Sequence, residues 1–455
     1  MNNPIRTRFA PSPTGRLHIG GVRTALFNWL FSHRHNGKFF LRIEDTDRER
    51  SDPQLVHQIT QNLEWLGINW DDEIIFQSQR LDLYKQKVDY LVKNGFAYRC
   101  YLSQEEINNM KLESPHAKIK SIWRDKDEII KGKDHVIRLK CDLEGIIEFH
   151  DEIRGLISVN STELEDLIIL KSDGFPTYSL AAAVDDADMK ISHVIRGDDH
   201  ITNTFYQIII YRALGCKIPS FTHIPLIHNK MGEKMSKRKG ATDTNEYKEK
   251  GYLPEALANY LLRLGWGKDD IEIITMDEAT KIFDLADLGR SPARFDIDKL
   301  NFLNHHYINI KSDEELVYFL SNSLNIQDKE KILRIERAIK EIKKRSHTLN
   351  ELQEYANLLI SDEIILDEKC QDIVISGLNK EFFKNLYNVL QREENWQLDS
   401  IKTTCEALIA QSNFSKNSIM KQLRSVIIGT FKSQGLYDFI YALGKEEVLR
   451  RICAL

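Results

Sequence analysis

Residues 8–21 read R-F-A-P-S-P-T-G-R-L-H-I-G-G and follow a short alternating segment. Ile5, Thr7 and Phe9 alternate in the manner of a strand, and the prolines and glycine that come next restrict the chain to a tight turn. Beyond His18, apolar residues recur at helical spacing. Because the first N–H groups of a helix are unpaired and lie at the positive end of its dipole, this order predicts an anion site at the helix N-terminus.

The spacing of the glycines matches neither G-x-G-x-x-G nor a P-loop. It resembles the H-I-G-H motif of class I aminoacyl-tRNA synthetases, written here as His18-Ile19-Gly20-Gly21. The resemblance implies that His18, Gly20 and Gly21 bind ATP. Gly21 replaces the second histidine of the motif, as glutamyl members commonly show, and this replacement removes a side-chain donor while it leaves the backbone donors.

The composition is typical of a soluble globular protein. The chain has 455 residues, of which 42% are hydrophobic and 29% charged, and its length suggests roughly three or four domains. It has no apolar run of about 18 residues, and its N-terminus lacks the apolar segment of a signal peptide. The six cysteines are widely separated, which favours free thiols in a reducing cytoplasm. The net charge of −5 neither indicates nor excludes nucleic-acid binding.

A second buried strand is predicted at 38–43, with the acidic run 44–47 at its carboxyl end. Ligands of open parallel sheets bind at the carboxyl ends of strands. An isolated acidic run is usually a solvated turn, but beside the first loop Glu44 is better explained as a group that binds an ammonium. The phrase R-I-E-D-T-D-R also resembles the glutamyl and glutaminyl branch of class I synthetases.

The composition changes near Ala97, where mixed short strands begin and continue to about Tyr178. This change predicts an insertion between the two halves of the nucleotide-binding fold, and the resemblance implies that it holds the tRNA acceptor end. Some family members bind zinc here through cysteines and histidine. In this chain Cys100 remains, whereas Leu102 and the residues around Trp123 offer no thiol, so no zinc site is predicted.

The strand predicted at 193–197 ends in Arg196, so Arg196 and Arg8 are expected to face one crevice. Guanidinium groups suit carboxylates, and together with Glu44 they describe a site for glutamate better than one for glutamine. The resemblance adds Ser12 and Tyr178 as glutamate-binding residues, although the sequence alone explains Tyr178 equally well as a core residue. An asparagine that some members have shortly after this tyrosine is absent, which leaves one substrate hydrogen bond unassigned.

The segment 229–240 reads N-K-M-G-E-K-M-S-K-R-K-G. A basic loop is usually only solvated, but this one resembles the second class I motif, K-M-S-K-S. The resemblance implies that Lys237, and less strongly Lys234, acts with His18 in catalysis by neutralising the negative charge that moves onto pyrophosphate. Two motifs in the expected order are more specific than either motif alone.

From about residue 311 the sequence is predicted to be all-α. Apolar residues form one stripe of a helix that ends at Arg345, and basic residues crowd its other faces. A solvated surface and a phosphate-binding surface explain these charges equally well. The resemblance implies that Arg345 contacts the third anticodon base of the tRNA.

Together these patterns predict an α/β protein with a Rossmann-type parallel-sheet catalytic domain, an inserted acceptor-binding domain, a helical stem-contact domain and an all-α anticodon-binding domain. The two catalytic halves are predicted at 1–95 and 181–228, and the insertion at 96–180. The stem-contact domain, with the second motif, is predicted at 229–310, and the anticodon domain at 311–455.

The resemblance to bacterial-type glutamyl-tRNA synthetases covers essentially the whole chain. It implies ATP-dependent formation of glutamyl-adenylate, then transfer to the terminal adenosine of tRNA-Glu. Mg²⁺ would accompany ATP, no metal would be resident, and the enzyme would be a cytoplasmic monomer. Whether tRNA-Gln is also charged stays open.

Three alternative functions share parts of this pattern. A glutaminyl-tRNA synthetase shares the scaffold, but its C-terminal part usually consists of β-barrels and its substrate needs no second arginine. A small-molecule nucleotidyltransferase would have no use for the helical C-terminal part. A tRNA-binding protein with a decayed site is disfavoured because His18 and Lys237 are present.

Overall fold

The computed structural model describes residues 4–47, 49–113, 121–126, 128–235, 243–412, 414–431, 433 and 435–454. The chain divides into two compact units, the first formed by Met1–Tyr247 and Leu257–Ile297, and the second by Lys248–Ala256 and Asp298–Leu455. Lys237 lies outside the described residues. The finer division into five parts that the sequence suggests stays a prediction.

The first unit contains the described strands and the helices that surround them. The strands are β1 (Arg6–Phe9), β2 (Lys38–Ile43), β3 (Ile75–Phe76), β4 (Ala97–Cys100), β5 (Val136–Leu139), β6 (Ile146–Asp151), β7 (Gly155–Asn160), β8 (Ile168–Leu170), β9 (His193–Gly197), β10 (Ser220–Ile224), β11 (Ile227–His228) and β12 (Ala293–Arg294). The helices that begin before residue 297 are α1 (Ile19–Arg34), α2 (Pro53–Trp65), α3 (Leu81–Lys93), α4 (Gln104–Glu113), α5 (Tyr178–Asp188), α6 (Ile201–Ala213), α7 (Thr244–Glu249), α8 (Pro254–Arg263) and α9 (Met276–Ile282).

The strands that carry the predicted motifs run parallel to their neighbours. β1 pairs with β2, and β2 with β3, while β9 pairs with β10 over its whole length. The helix α1 connects β1 to β2 and buries the apolar stripe that the sequence predicts, with Val22, Leu26 and Leu30 inaccessible or nearly so. These parallel pairings, which lie in two sheets and are connected by helices, confirm the predicted α/β class, and strands β2 and β9 have the predicted bounds.

The region between the two halves contains two antiparallel arrangements. β5 lies between β4 and β8 in a three-stranded sheet. β6 and β7 form a hairpin that instead joins the β9–β10 sheet, because β6 runs beside β10 with Asp151 opposite Phe221. One part of the inserted sequence is therefore built into the sheet of the second catalytic half.

The second unit is helical in its described residues. Its helices are α10 (Ile297–Ile310), α11 (Asp313–Ser323), α12 (Lys329–Lys343), α13 (Leu349–Ile360), α14 (Glu368–Ile375), α15 (Lys380–Arg392), α16 (Leu398–Gln411), α17 (Lys416–Ile427), α18 (Leu436–Leu443) and α19 (Lys445–Cys453). Ile335, Ala338, Ile339 and Ile342 of α12 lie in the core, as their spacing predicts. None of the helices that the structure describes is long and apolar enough to cross a membrane.

Candidate active site

A cavity of about 600 Å³ lies at the carboxyl ends of β1, β2 and β9. Nine of the residues that the sequence singles out line it: Arg8, Ser12, His18, Gly20, Gly21, Glu44, Tyr178, Arg196 and Lys234. They come from distant parts of the first unit, and the parallel strands bring them together because their carboxyl ends meet at one edge.

The N-terminus of α1 forms one wall of the cavity. His18 is the N-cap residue, and its Nδ1 accepts a hydrogen bond from the backbone N–H of Gly20 at 3.0 Å. This bond assigns the proton of a neutral imidazole to Nε2. A Cβ atom at Gly21 would lie 3.2 Å from Leu17 Cδ1, so the absence of a side chain there also permits close packing. The start of α1 thus combines backbone donors, a dipole and a ring N–H.

Arg23 is a cavity residue that the sequence analysis missed. It is almost fully buried on the otherwise apolar face of α1, and its guanidinium donates to the carbonyl oxygens of Leu264, at 2.7 Å, and Pro225. Burial lowers its pKa to about 10. A charged residue within an apolar helical stripe is the signal that could have identified it, because such a residue needs an internal partner.

Arg8 and Glu44 belong to a chain of buried charges. Arg8 Nε lies 3.0 Å from Asp186 Oδ1, and Arg42 Nη1 lies 2.6 Å from the same oxygen. Arg42 Nη2 also donates to Glu44 Oε1 at 3.1 Å. Arg8 lines the cavity, but Asp186 already pairs with its guanidinium. Asp186 and Arg42 were missed, although charged residues within a buried strand and a small-residue helix were a visible signal.

Burial and the two arginines set the ionisation of these carboxyl groups. Burial disfavours the carboxylate of Asp186, but Arg42 and Arg8 outweigh it and lower the pKa of Asp186. Burial raises the pKa of Glu44, and Arg42 only partly opposes this effect. One oxygen of Glu44 accepts a hydrogen bond from Arg42. Because burial still disfavours the carboxylate, a second cation beside Glu44 would stabilise its charged form.

Arg196 donates hydrogen bonds from all three nitrogens of its guanidinium group. Its Nη1 donates to Tyr178 Oη at 3.1 Å, and its Nη2 donates to Thr204 Oγ1 at 2.7 Å. Nη2 also donates to Gln207 Oε1 at 2.9 Å, while Nε donates to His223 Nε2 at 3.3 Å. All these acceptors are uncharged groups. Arg196 itself is only 5% exposed.

Two histidines beside Arg196 are held neutral. Burial, together with the nearby charge of Arg196, lowers the pKa of His200 to about 4. Burial also lowers the pKa of His223, whose Nδ1 lies 2.8 Å from Asp151 Oδ2. Tyr178, predicted with equal weight as a core or a substrate residue, is half-buried and lines the cavity. The position of the missing asparagine falls in the core segment of α5, where Ala182 is fully buried.

The second motif borders the cavity through its first lysine. Lys234 Nζ lies 3.5 Å from Asp199 Oδ2, and 60% of the lysine side chain is exposed. Gly197 permits this arrangement, since a Cβ atom there would lie 2.6 Å from Asp199 Oδ1. Lys237 lies outside the described residues, so its catalytic role stays a prediction.

At the position considered for zinc, Cys100 Sγ lies 3.5 Å from Ser121 Oγ, and the rings of Tyr101 and Trp123 pack 5.0 Å apart. No group of three or more potential metal ligands occurs among the residues that the structure describes. The absence of zinc stays a prediction.

In the second unit, Arg345 is exposed in the turn between α12 and α13, and its N–H donates to the carbonyl oxygen of Ile342 at 3.1 Å. Arg424 lies nearby. Burial lowers the pKa of Arg424, and the positive charge of Arg345 lowers it further. Arg424 is partly buried and donates to Ser433 Oγ at 2.7 Å, so Arg345 is the more exposed of the two cations.

Comparison with known proteins gives a consistent result. Residues 4–302 match the family model described as tRNA synthetases class I (E and Q), catalytic domain, and residues 313–455 match an anticodon binding domain. Glutamate–tRNA ligase 2 of Rickettsia felis is 44% identical over 463 residues, which cover 99% of both chains. Glutamate–tRNA ligase 2 of Rickettsia bellii is 43% identical with the same coverage.

Solved structures agree with these sequence matches. A glutamate tRNA ligase from Elizabethkingia meningosepticum, crystallised in complex with its amino acid, is 31% identical with a TM-score of 0.87, and 99% of each chain is covered. The glutamate-tRNA synthetase of Elizabethkingia anophelis is 30% identical with a TM-score of 0.84 and the same coverage.

Proposed function

The chain belongs to the class I tRNA synthetases for glutamate and glutamine, and from this premise we propose which residues bind each substrate and which act in catalysis. The reaction is the ATP-dependent attachment of L-glutamate to tRNA-Glu. The α-carboxylate attacks the α-phosphate of ATP, so that glutamyl-adenylate forms and pyrophosphate leaves. A ribose hydroxyl of the terminal adenosine then takes the glutamyl group, and AMP leaves. Catalysis rests on positioning and charge stabilisation.

The observation that supports glutamate as the substrate is the environment of Arg196. Among the residues that the structure describes, this buried guanidinium donates to uncharged acceptors, so an anion that enters the cavity can pair with its positive charge. The side-chain carboxylate of glutamate supplies that anion. The neutral amide of glutamine would leave the cation poorly paired.

The remaining glutamate contacts follow from the charges around them. Glu44 binds the ammonium group, while Ser12 and Tyr178 supply hydroxyl groups. Arg8 assists carboxylate binding more weakly than Arg196, because Asp186 shares its charge.

MgATP binds at the other end of the cavity. His18 and the backbone of Gly20 and Gly21 hold the nucleotide at the N-terminus of α1, where unpaired N–H groups suit phosphate. Lys234 leaves its contact with Asp199 and binds the triphosphate instead. Lys237 stabilises the charge that develops on pyrophosphate.

A glutaminyl-specific enzyme is the second candidate within the same family. It is less well supported, because its substrate lacks the anion that Arg196 requires. An enzyme without tRNA is disfavoured by the anticodon-domain match at 313–455. Arg345 is proposed to read the third anticodon base. The monomeric state and the cytoplasmic location remain predictions, and whether tRNA-Gln is also charged stays open.

The test is ATP–pyrophosphate exchange with glutamate or glutamine, with and without tRNA-Glu transcript, followed by aminoacylation of that transcript. We expect exchange and charging with glutamate at a kcat/KM far above the low value for glutamine. Exchange supported equally by both amino acids would contradict the assignment, and so would exchange without any charging of the tRNA.

A further inference from the structure

Gln207, on α6, lies behind Arg196 and outside the cavity wall. Its Oε1 accepts a hydrogen bond from Arg196 Nη2 at 2.9 Å, and only 1% of the residue is exposed. Its Nε2 is buried and has no hydrogen-bond partner in the part of the chain that the structure describes. The amide therefore uses its carbonyl oxygen and leaves a buried donor unsatisfied.

An unsatisfied buried donor is a cost to the fold. Glutamate at this position has the same length and would remove that donor. Its carboxylate would also accept from Arg196 as an ion pair, in which two opposite charges attract more strongly than the guanidinium attracts a neutral amide. Stability alone would favour glutamate over Gln207, so the neutral amide calls for another reason.

The opposite side of the guanidinium shows the same separation of Arg196 from negative charge. His223 Nδ1 faces Asp151 Oδ2 at 2.8 Å, so its Nε2 serves as the acceptor for Arg196 Nε at 3.3 Å. A neutral imidazole thus stands between the buried carboxylate and the guanidinium. Asp151 is fully buried and also accepts from the backbone N–H groups of Ile153 and Arg154.

We propose that Gln207 is a specificity-determining residue that positions Arg196 for the substrate's side-chain carboxylate without neutralising it. Gln207 acts through Arg196 and does not contact the substrate. The inference rests on the proposed function, in which Arg196 binds the side chain of glutamate. It explains the choice of an amide over a carboxylate at this position by selectivity for an anionic amino acid.

Gln207→Glu is the direct test, with Gln207→Met as the matched neutral control of similar length. The measurements are kcat/KM for glutamate-dependent and glutamine-dependent pyrophosphate exchange, and the melting temperature. With Gln207→Glu we expect kcat/KM for glutamate to fall by about 100-fold, mainly through KM, the size typical of losing a buried charge pair with a ligand. The glutamine value should change little, and the melting temperature should stay equal or rise. Gln207→Met should lose only about tenfold, because Arg196 loses one uncharged acceptor while its charge stays uncompensated.

A second pair of variants repeats the test should Gln207→Glu not fold. Thr204→Asp places a carboxylate at the other side-chain acceptor of Arg196 Nη2, and Thr204→Asn is its neutral counterpart. The Asp variant should lose glutamate selectivity well beyond the Asn variant. Equal losses in the charged and neutral variants, or unchanged selectivity in the charged ones, would overturn the proposal. Absence of glutamate-dependent exchange in the wild type would instead refute the proposed function itself.

Discussion

Arg8 Nε lies 3.0 Å from Asp186 Oδ1, and the two side chains are only 4% and 1% exposed. The same carboxylate oxygen accepts from Arg42 Nη1 at 2.6 Å. One aspartate on α5 therefore connects the strands β1 and β2 beneath the substrate cavity. This anion pairs with two arginines that would otherwise repel each other, whereas the acceptors of Arg196 in the described part of the chain are uncharged.

Asp186→Asn should destabilise the first unit by about 3–5 kcal/mol, because removing one partner leaves buried charge uncompensated. Chemical denaturation measures the change. Asp72→Asn is the control, since its ion pair with Lys38 is exposed and should contribute less than about 1 kcal/mol. A loss no larger than that of the control would show that the pair is unimportant to the fold.

Arg196→Ala should lower kcat/KM for glutamate by about 10⁴, the discrimination typical of a site built around a polar contact, and leave glutamine activity nearly unchanged. Arg8→Ala should change this selectivity less, because Asp186 already shares its charge. Pyrophosphate exchange with each amino acid measures both. Equal loss for the two substrates would assign Arg196 to the fold or to ATP.

Lys237→Ala should reduce the rate of glutamate activation by about 10²–10³ with little change in the KM for glutamate, because its charge acts mainly in the transition state. Single-turnover kinetics of adenylate formation at several glutamate concentrations separate the activation rate from the KM for glutamate. Lys230→Ala is the control in the same motif segment, since Lys230 pairs with Asp296 at 2.9 Å. A raised KM with unchanged kcat would contradict the catalytic role.

Arg345→Gln should raise the charging of tRNA-Gln relative to tRNA-Glu. Arginine can donate to cytosine, the third anticodon base of tRNA-Glu, but meets donors on the guanine of tRNA-Gln. Such a contact is worth about 1–3 kcal/mol. The measurement is aminoacylation of both transcripts at one salt concentration. If both tRNAs weaken alike, Arg345 contacts phosphate; if wild type charges both equally, the idea fails.

The second unit should lose stability in acid through Glu447. Burial disfavours its carboxylate, but hydrogen bonds from Arg450 and Arg451 outweigh this and lower the pKa of Glu447 from 4.5 to about 2. A lowered folded-state pKa stabilises the protein above the unfolded pKa, so this contribution should fade as pH falls from about 4.5 to 2. Circular dichroism of wild type and Glu447→Gln across this window tests it. The variant should be less stable at pH 7, and its stability should depend less on pH in acid. Parallel curves of stability against pH for the two proteins would show that Glu447 does not cause the acid sensitivity.

The elements around the site follow from local sequence. Strands β2 and β9 and the buried stripe of α12 have the predicted bounds or residues, because side-chain periodicity and turn residues act over a few positions. The same local order places Arg196 at the end of a strand, and thus at the edge where ligands bind. Residues of the two family motifs, His18 and Lys234 among them, line the cavity at the same edge.

The partners of those residues depend on tertiary structure. Asp186 meets Arg8 and Arg42 across separations of 178 and 144 residues, which no local pattern encodes. The path of the β6–β7 hairpin into the β10 sheet is equally non-local. The charge that a side chain presents to a substrate depends on which groups already compensate it. That balance arises only when distant segments pack together and exclude water, because burial makes each charge depend on its immediate neighbours.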